Sequence, residues 1–297
     1  MYLELDGGHE MYFEEHGNPK GIPVVFVLGG PGLSVTGNEI RFFDLEKYRV
    51  LLYDQRGCGR SKFLDRWTQN TTLDLIEDIR RLLDHLLIDQ CLLFGGSWGS
   101  TLSLLFAIQY PQRVRGLILR GIFTGAVWDR NHMENGGNAK LFPREWERFL
   151  SKVPISEQKD PSTYYYKNIL GNNELKDELA FELMLYALSI ASLNPGSKEE
   201  MENRLQQSQY LPKAAMLAYY SLENFFIPDE YIYQNTSKLS DIDIDIIHGK
   251  FDYVTPLKVA KRLQEYIPHA NLHVVDAGHI DSEPAIENKL KEILKTI

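Results

Sequence analysis

Phe94-Gly95-Gly96-Ser97-Trp98-Gly99-Ser100-Thr101-Leu102 joins an apolar run to an apolar, helix-forming run. This is G-x-S-x-G in a strand–turn–helix setting, the pattern that lifts a serine hydroxyl above the edge of a sheet. Such a turn forces the serine into a strained backbone region, and side chains at the flanking positions would collide with the strand or the helix. On its own the pentapeptide is weak evidence. What surrounds it decides the fold.

Upstream, 23–28 is a short apolar run ending in Gly29-Gly30-Pro31-Gly32, and 49–53 is a second, ending in Asp54-Gln55-Arg56-Gly57. Segment 91–94 is a third, leading into Ser97, and 114–119 a fourth. Unbroken apolar strands of this kind belong to a parallel sheet buried on both faces. Segment 10–16 alternates loosely, as an early antiparallel strand does. Segment 73–87 carries Leu75, Ile79, Leu82, Leu83 and Leu86 at helical spacing, and 101–110 is a helix stopped by Pro111. Over 125–238 the strand–helix alternation stops. Long helical patterns at 178–192 and 211–226 take its place, punctuated by prolines. Alternation resumes with a strand carrying Ile242, Ile244 and Ile246, a helix at 256–266, a strand at 272–275 and a final helix at 286–297. The expectation is an α/β fold: a mostly parallel sheet with helices on both faces, its core made of 1–124 and 239–297, with a helical cap inserted at 125–238.

Composition narrows the function. The chain has 297 residues, 43% of them hydrophobic, enough for one large core. Its 32 basic and 41 acidic side chains give a net charge of −9, with no basic stripe, so nucleic acid is not an expected partner. Two cysteines, Cys58 and Cys91, make neither a metal pair nor a disulfide framework, which fits a reducing cytoplasm. No leader-like N-terminus and no run of about 18 apolar residues points to secretion or a membrane. The oligomeric state is not readable.

Function gathers at the carboxyl ends of strands in open α/β sheets. Four chemically informative segments sit there: 29–32, Ser97, Asp252 and His279. A serine hydroxyl needs a base within reach, and the base needs an orienting acid. The order Ser97, Asp252, His279 supplies nucleophile, orienter and general acid/base. The oxyanion formed on attack needs fixed N–H donors, for which Gly30 and Trp98 are the candidates. No metal or other cofactor is required. His248, close to Asp252 in sequence, is read as shaping that turn rather than as the base. Cys58 is read as a small filler near the site and Cys91 as core. Asp54 and Arg56 are read as turn-stabilising. Asp241, Asp243 and Asp245 lack the rest of a calcium loop and are read as the polar face of a strand end.

At this point the chain resembles the proline iminopeptidases of the α/β-hydrolase superfamily. Gly29-Gly30-Pro31-Gly32 resembles the family's H-G-G-P-G, and 54–61 its D-Q-R-G-x-G-x-S. Segment 95–102 is similar to its serine segment, and 119–123 and 142–148 to segments around the cap entrance. The resemblance implies a serine exopeptidase that releases an N-terminal proline from a small peptide or amide with a free amine. It implies Glu223, in Ser221-Leu222-Glu223-Asn224-Phe225-Phe226, as an amine binder, Phe123 as a wall of the proline pocket, and Arg120 as an organiser of cap carboxylates. Two departures stand out. Leu28 replaces the histidine of H-G-G-P-G, and 185–192 has neither the glutamate nor the tryptophans of the family's W-x-x-W-E; Glu182 is the nearest acid. A carboxylester or lactone hydrolase using the same three residues is the alternative, and a binding protein on a hydrolase scaffold a third reading.

Overall fold

The computed structural model describes residues 1–297, the side chains of Asn131, Met133 and Glu134 excepted. Its strands are β1 (Tyr2–Glu4), β2 (His9–Gly17), β3 (Ile22–Val27), β4 (Tyr48–Tyr53), β5 (Lys62–Phe63), β6 (Cys91–Gly96), β7 (Val114–Arg120), β8 (Asp243–Gly249) and β9 (Asn271–Val275). They form one sheet in the order β1-β2-β4-β3-β6-β7-β8-β9, with β5 on β2. From β4 to β9 every pairing is parallel, while β1, β2 and β5 join antiparallel. The chain is thus an α/β protein whose sheet is mostly parallel.

The unbroken apolar strands are explained by burial on both faces. Val25 and Val27 of β3 point into one core with Leu51 and Leu93, while Val24 and Phe26 point into the other with Leu52 and Phe94. Helices α1 (Thr72–His85), α2 (Trp98–Gln109) and α10 (Leu257–Tyr266) cover the first face, and α11 (Pro284–Thr296) the second. Each fully buried Leu or Phe contributes about 1.5–3 kcal/mol. The start of α1 is fixed by a capping box: the Thr71 side chain accepts from the Asp74 N–H, and the Asp74 carboxylate from the Thr71 N–H.

Between β7 and β8 the chain is helical: α3 (Val127–Glu134), α4 (Pro143–Leu150), α5 (Pro161–Leu170), α6 (Lys176–Ile190), α7 (Lys198–Gln206), α8 (Tyr210–Leu222) and the short α9 (Tyr231–Gln234). This stretch builds a core of its own from residues such as Phe149, Tyr165, Leu179 and Ala214. Two helices differ from the sequence expectation by more than two residues at one end. The one after the serine starts at Trp98, not at Thr101. The one expected to run through Phe226 ends at Leu222, because Asn224, Phe225 and Phe226 all take positive φ (50°, 55° and 52°). The reversal drives Phe225 inward onto Trp98 and Phe123, and its carbonyl accepts from the Thr72 hydroxyl.

Candidate active site

Ser97 is the single residue between β6 and α2, with φ 56° and ψ −123°. The turn is so tight that a Cβ on Gly99 would lie 1.9 Å from the Val27 carbonyl oxygen, so only glycine fits there. Its N–H donates to the Arg120 carbonyl (3.0 Å), and among the described residues its hydroxyl has no protein partner.

The other two sequence candidates meet. Asp252 follows β8 and His279 follows β9. His279 Nδ1 lies 2.7 Å from Asp252 Oδ2, with Asp252 buried and the imidazole 13% exposed. The other carboxylate oxygen accepts from the N–H groups of Val254 (3.0 Å) and Thr255 (2.8 Å), and the Thr255 hydroxyl donates to Oδ2 at 3.0 Å. Burial pushes the Asp252 carboxyl up, but the neighbouring His279 and His248 and the Thr255 N–H outweigh it and hold the group below the usual carboxylate range. Asp252 is therefore the charged, acceptor-only partner that fixes a proton on Nδ1 and leaves Nε2 as the basic nitrogen.

Strand order puts this pair at the same end of the sheet as Ser97. Gly96 pairs with Arg120 in the β6–β7 register, and β7 lies between β6 and β8. A Cβ on the next residue, Gly121, would lie 2.9 Å from His279 Cε1 and 3.5 Å from Asp252 Oδ2. No hydrogen bond joins the Ser97 hydroxyl to His279 in this conformation. Such contacts commonly tighten only when substrate arrives.

Gly30 (φ 114°) and Trp98 present N–H groups that have no protein acceptor among the described residues. A residue that sequence reasoning passed over ties their two segments together. Buried Gln55 donates to the Leu28 carbonyl (2.9 Å) and accepts from the Trp98 indole N–H (3.2 Å). Its signal was its place in the 54–61 motif. Leu28 is itself buried. Asp54 accepts from the Val35 and Arg60 N–H groups, which joins the loops after β3 and β4.

The remaining candidates divide. Phe123 is placed beside the serine turn: its N–H donates to Ser100 Oγ and its carbonyl accepts from Thr101 Oγ1, while its ring meets Phe225 edge-on at 5.0 Å. Glu223 caps the end of α8, is exposed, and forms no ion pair among the described residues. Arg120 does not reach a cap carboxylate. As the last residue of β7 it faces the loop after β9, where it donates to the His279 carbonyl (2.9 Å) and lies 3.6 Å from Asp281. Glu182, on α6, is buried against Arg148 of α4 at 2.5 Å. Burial raises its carboxyl above the ordinary value despite that arginine.

His248 holds the turn, as its sequence position suggested. Nε2 contacts the Thr255 carbonyl (2.8 Å) and Nδ1 accepts from the Ile122 N–H (3.2 Å). Burial drives the Cys58 thiol up to about 12, so it is an inert filler. Among the described residues no group of His, Cys, Asp and Glu has the arrangement of a metal site, and no helix is long and apolar enough to cross a membrane.

Comparison with known proteins bears on the family and the fold. A family model for the alpha/beta hydrolase fold matches residues 22–285. Proline iminopeptidase of Arabidopsis thaliana is 36% identical over 292 residues, covering 97% of this chain and 77% of that protein. The Neisseria meningitidis proline iminopeptidase is 34% identical over 308 residues, covering 100% and 95%. Among solved structures, an esterase from Exiguobacterium antarcticum superposes with a TM-score of 0.70 at 19% identity, covering 99% and 98%, which bears on the fold. With near-complete coverage by relatives of this similarity, and a serine turn and Asp–His pair on one rim of the sheet, the chain belongs to the proline iminopeptidase family of α/β-hydrolases.

Proposed function

We propose that the protein is a serine hydrolase that releases an N-terminal proline from short peptides or amides through an acyl-enzyme on Ser97. The observation that carries the chemistry is the 2.7 Å His279–Asp252 contact at the strand ends, together with a serine held at positive φ on the same rim of the sheet. The proline preference rests on the relatives, 34–36% identical over nearly the whole chain.

In this reading Ser97 Oγ attacks the carbonyl carbon while His279 Nε2 takes its proton. Asp252 stabilises the imidazolium. The tetrahedral oxyanion is held by the N–H groups of Gly30 and Trp98, each such donor being worth about 10²–10³ in rate. His279 then passes the proton to the leaving amine, the C–N bond breaks, and a water deprotonated by His279 releases proline and regenerates Ser97. The helical stretch between β7 and β8 acts as the cap, with Phe123 against the pyrrolidine ring. Glu223, exposed and unpaired, receives the cationic amine. Arg120 acts on His279 rather than on substrate.

Turnover of proline-β-naphthylamide tests the reading. Wild type should cleave it, and Ser97→Ala should fall by about 10⁴-fold or more. Wild-type-like activity in that variant would remove Ser97 from its role. One observation keeps the ester-hydrolase reading in play: Glu182 is occupied by Arg148, which leaves Glu223 as the free candidate acid of the cap. Faster turnover of p-nitrophenyl acetate than of proline-p-nitroanilide would favour that reading.

A further inference from the structure

A cavity of about 450 Å³ opens where the loops after β3 and β4 meet the start of α8. Arg60, Arg66 and Lys213 line it together with Gly32, Cys58 and Gln209, and no carboxylate does. The three cations are not equally compensated. Arg60 is paired with Glu14 (2.7 Å) and Asp54 (3.4 Å). Arg66 has no ion pair among the described residues; its guanidinium stands 5.0 Å from the centre of the Phe63 ring. Lys213 is partly buried and also without an ion pair, and that burial depresses its ammonium below the ordinary value.

Desolvating a cation with no counter-charge is unfavourable, as for half-buried Lys213, and Arg66 on the same cavity also lacks one, so an anion held by both is favoured. The fork of Arg66 and the point charge of Lys213 suit the oxygens of a carboxylate or phosphate. The volume suits a small ligand. Glycine at 32 permits the arrangement: a Cβ there would lie 3.0 Å from Lys213 Cα, so only a bare backbone lets α8 come this close.

The geometry points to an anion-binding site between Arg66 and Lys213 that takes a small oxyanion, either free phosphate or the terminal carboxylate of a short peptide. Gly32 lies two residues beyond Gly30, so an occupant rests against the segment that carries the candidate oxyanion donor. The site does not depend on the proposed peptidase activity, and it is read on inactive protein.

The experiment uses Ser97→Ala protein and inorganic phosphate, with ionic strength balanced by chloride. Phosphate should raise the thermal midpoint. Calorimetric affinity should weaken about tenfold or more in both Lys213→Met and Arg66→Met, and survive in Lys213→Arg. A phosphate effect no larger than that of chloride, or one undiminished in both charge-removing variants, overturns the site. Competition then separates the sources. Displacement of phosphate by Pro-Gly-Gly but not by its C-terminal amide assigns the site to the peptide carboxylate. Displacement by neither, with phosphate bound, assigns it to a free oxyanion.

Discussion

The backbone N–H of His279 donates to the carbonyl of Ala191 across 2.7 Å. Ala191 is the residue at which α6 ends, so the helical stretch holds the imidazole loop from one side while Arg120 holds the same residue's carbonyl from the other. His279 is thereby held between the helical stretch and the end of β7. This is also where 185–192 departs from the family's W-x-x-W-E, and here the segment contributes a backbone carbonyl.

Gly278→Ala tests that clamp. A Cβ at 278 would lie 2.9 Å from the Ala191 oxygen and 3.1 Å from Ser192 Cα, so the loop and the end of α6 must separate. Displacing a reacting group by about 1 Å costs on the order of 10²-fold. The expected outcome is a kcat loss of about 10- to 100-fold with KM little changed. An unaltered kcat in a protein of wild-type circular dichroism would show that the contact does not position His279.

Gln55 offers a second handle, beside the candidate oxyanion donors. Replacing it by leucine strands the Leu28 carbonyl and the Trp98 indole N–H, both buried, at about 1–3 kcal/mol each. Part of that cost should appear as lower stability and part as looser oxyanion donors. Urea unfolding of Gln55→Leu should show the loss, and kcat for proline-β-naphthylamide should drop about 10-fold or more.

The sheet was legible because its strands are buried on both faces and so read as apolar runs, and because each ends in glycine or a polar turn. The Ser97, Asp252 and His279 segments were legible for the same reason: each follows a strand. Less was visible where long-range contacts decide. Nothing local marks Phe225 for a positive φ; the reversal is set by Trp98, Phe123 and the Thr72 hydroxyl, residues far away in sequence. Arg120 departs from what the resemblance implies because a strand-end side chain can turn to either neighbouring loop, and only strand order selects the loop after β9. The bridge made by Gln55 joins positions 28 and 98, which no spacing rule connects.

His248 should make stability pH-dependent. Burial holds its imidazole below the ordinary 6.5, with Asp252 opposing that shift and His279 and Arg120 adding to it. The folded state then binds this proton less readily than the unfolded state. The contribution is complete above the unfolded value and is lost as pH falls through the folded one. Asp252, also depressed, acts in a lower window beginning near its ordinary 3.8. Unfolding free energy measured at about pH 7 and about pH 5 should decline in wild type, and the decline should shrink in His248→Leu. That variant should also be less stable at neutral pH by about 1–3 kcal/mol, because the Ile122 N–H loses its acceptor. Equal declines in the two proteins would show that another group dominates.

Arg56 is the loop residue whose loss should cost most. Its guanidinium is fully buried and holds Asp78 with two contacts of 2.6 Å, Asp6 at 2.5 Å and the Gln69 carbonyl at 2.8 Å. These bonds tie the loop after β4 to α1 and to the turn after β1. Arg56→Met leaves the Asp78 carboxylate buried without its cation, a situation that costs about 3–5 kcal/mol. Arg56→Met with Asp78→Leu removes both charges and should restore a large part of that, since a buried pair exchanged for apolar side chains is often neutral. Urea midpoints of the two single variants and the double variant form the cycle. A double variant as unstable as the sum of the singles would mean that the pair is not coupled. Because Gln55 precedes Arg56 directly, Arg56→Met should also lower kcat at temperatures where the protein remains folded, and the double variant should regain stability before it regains rate.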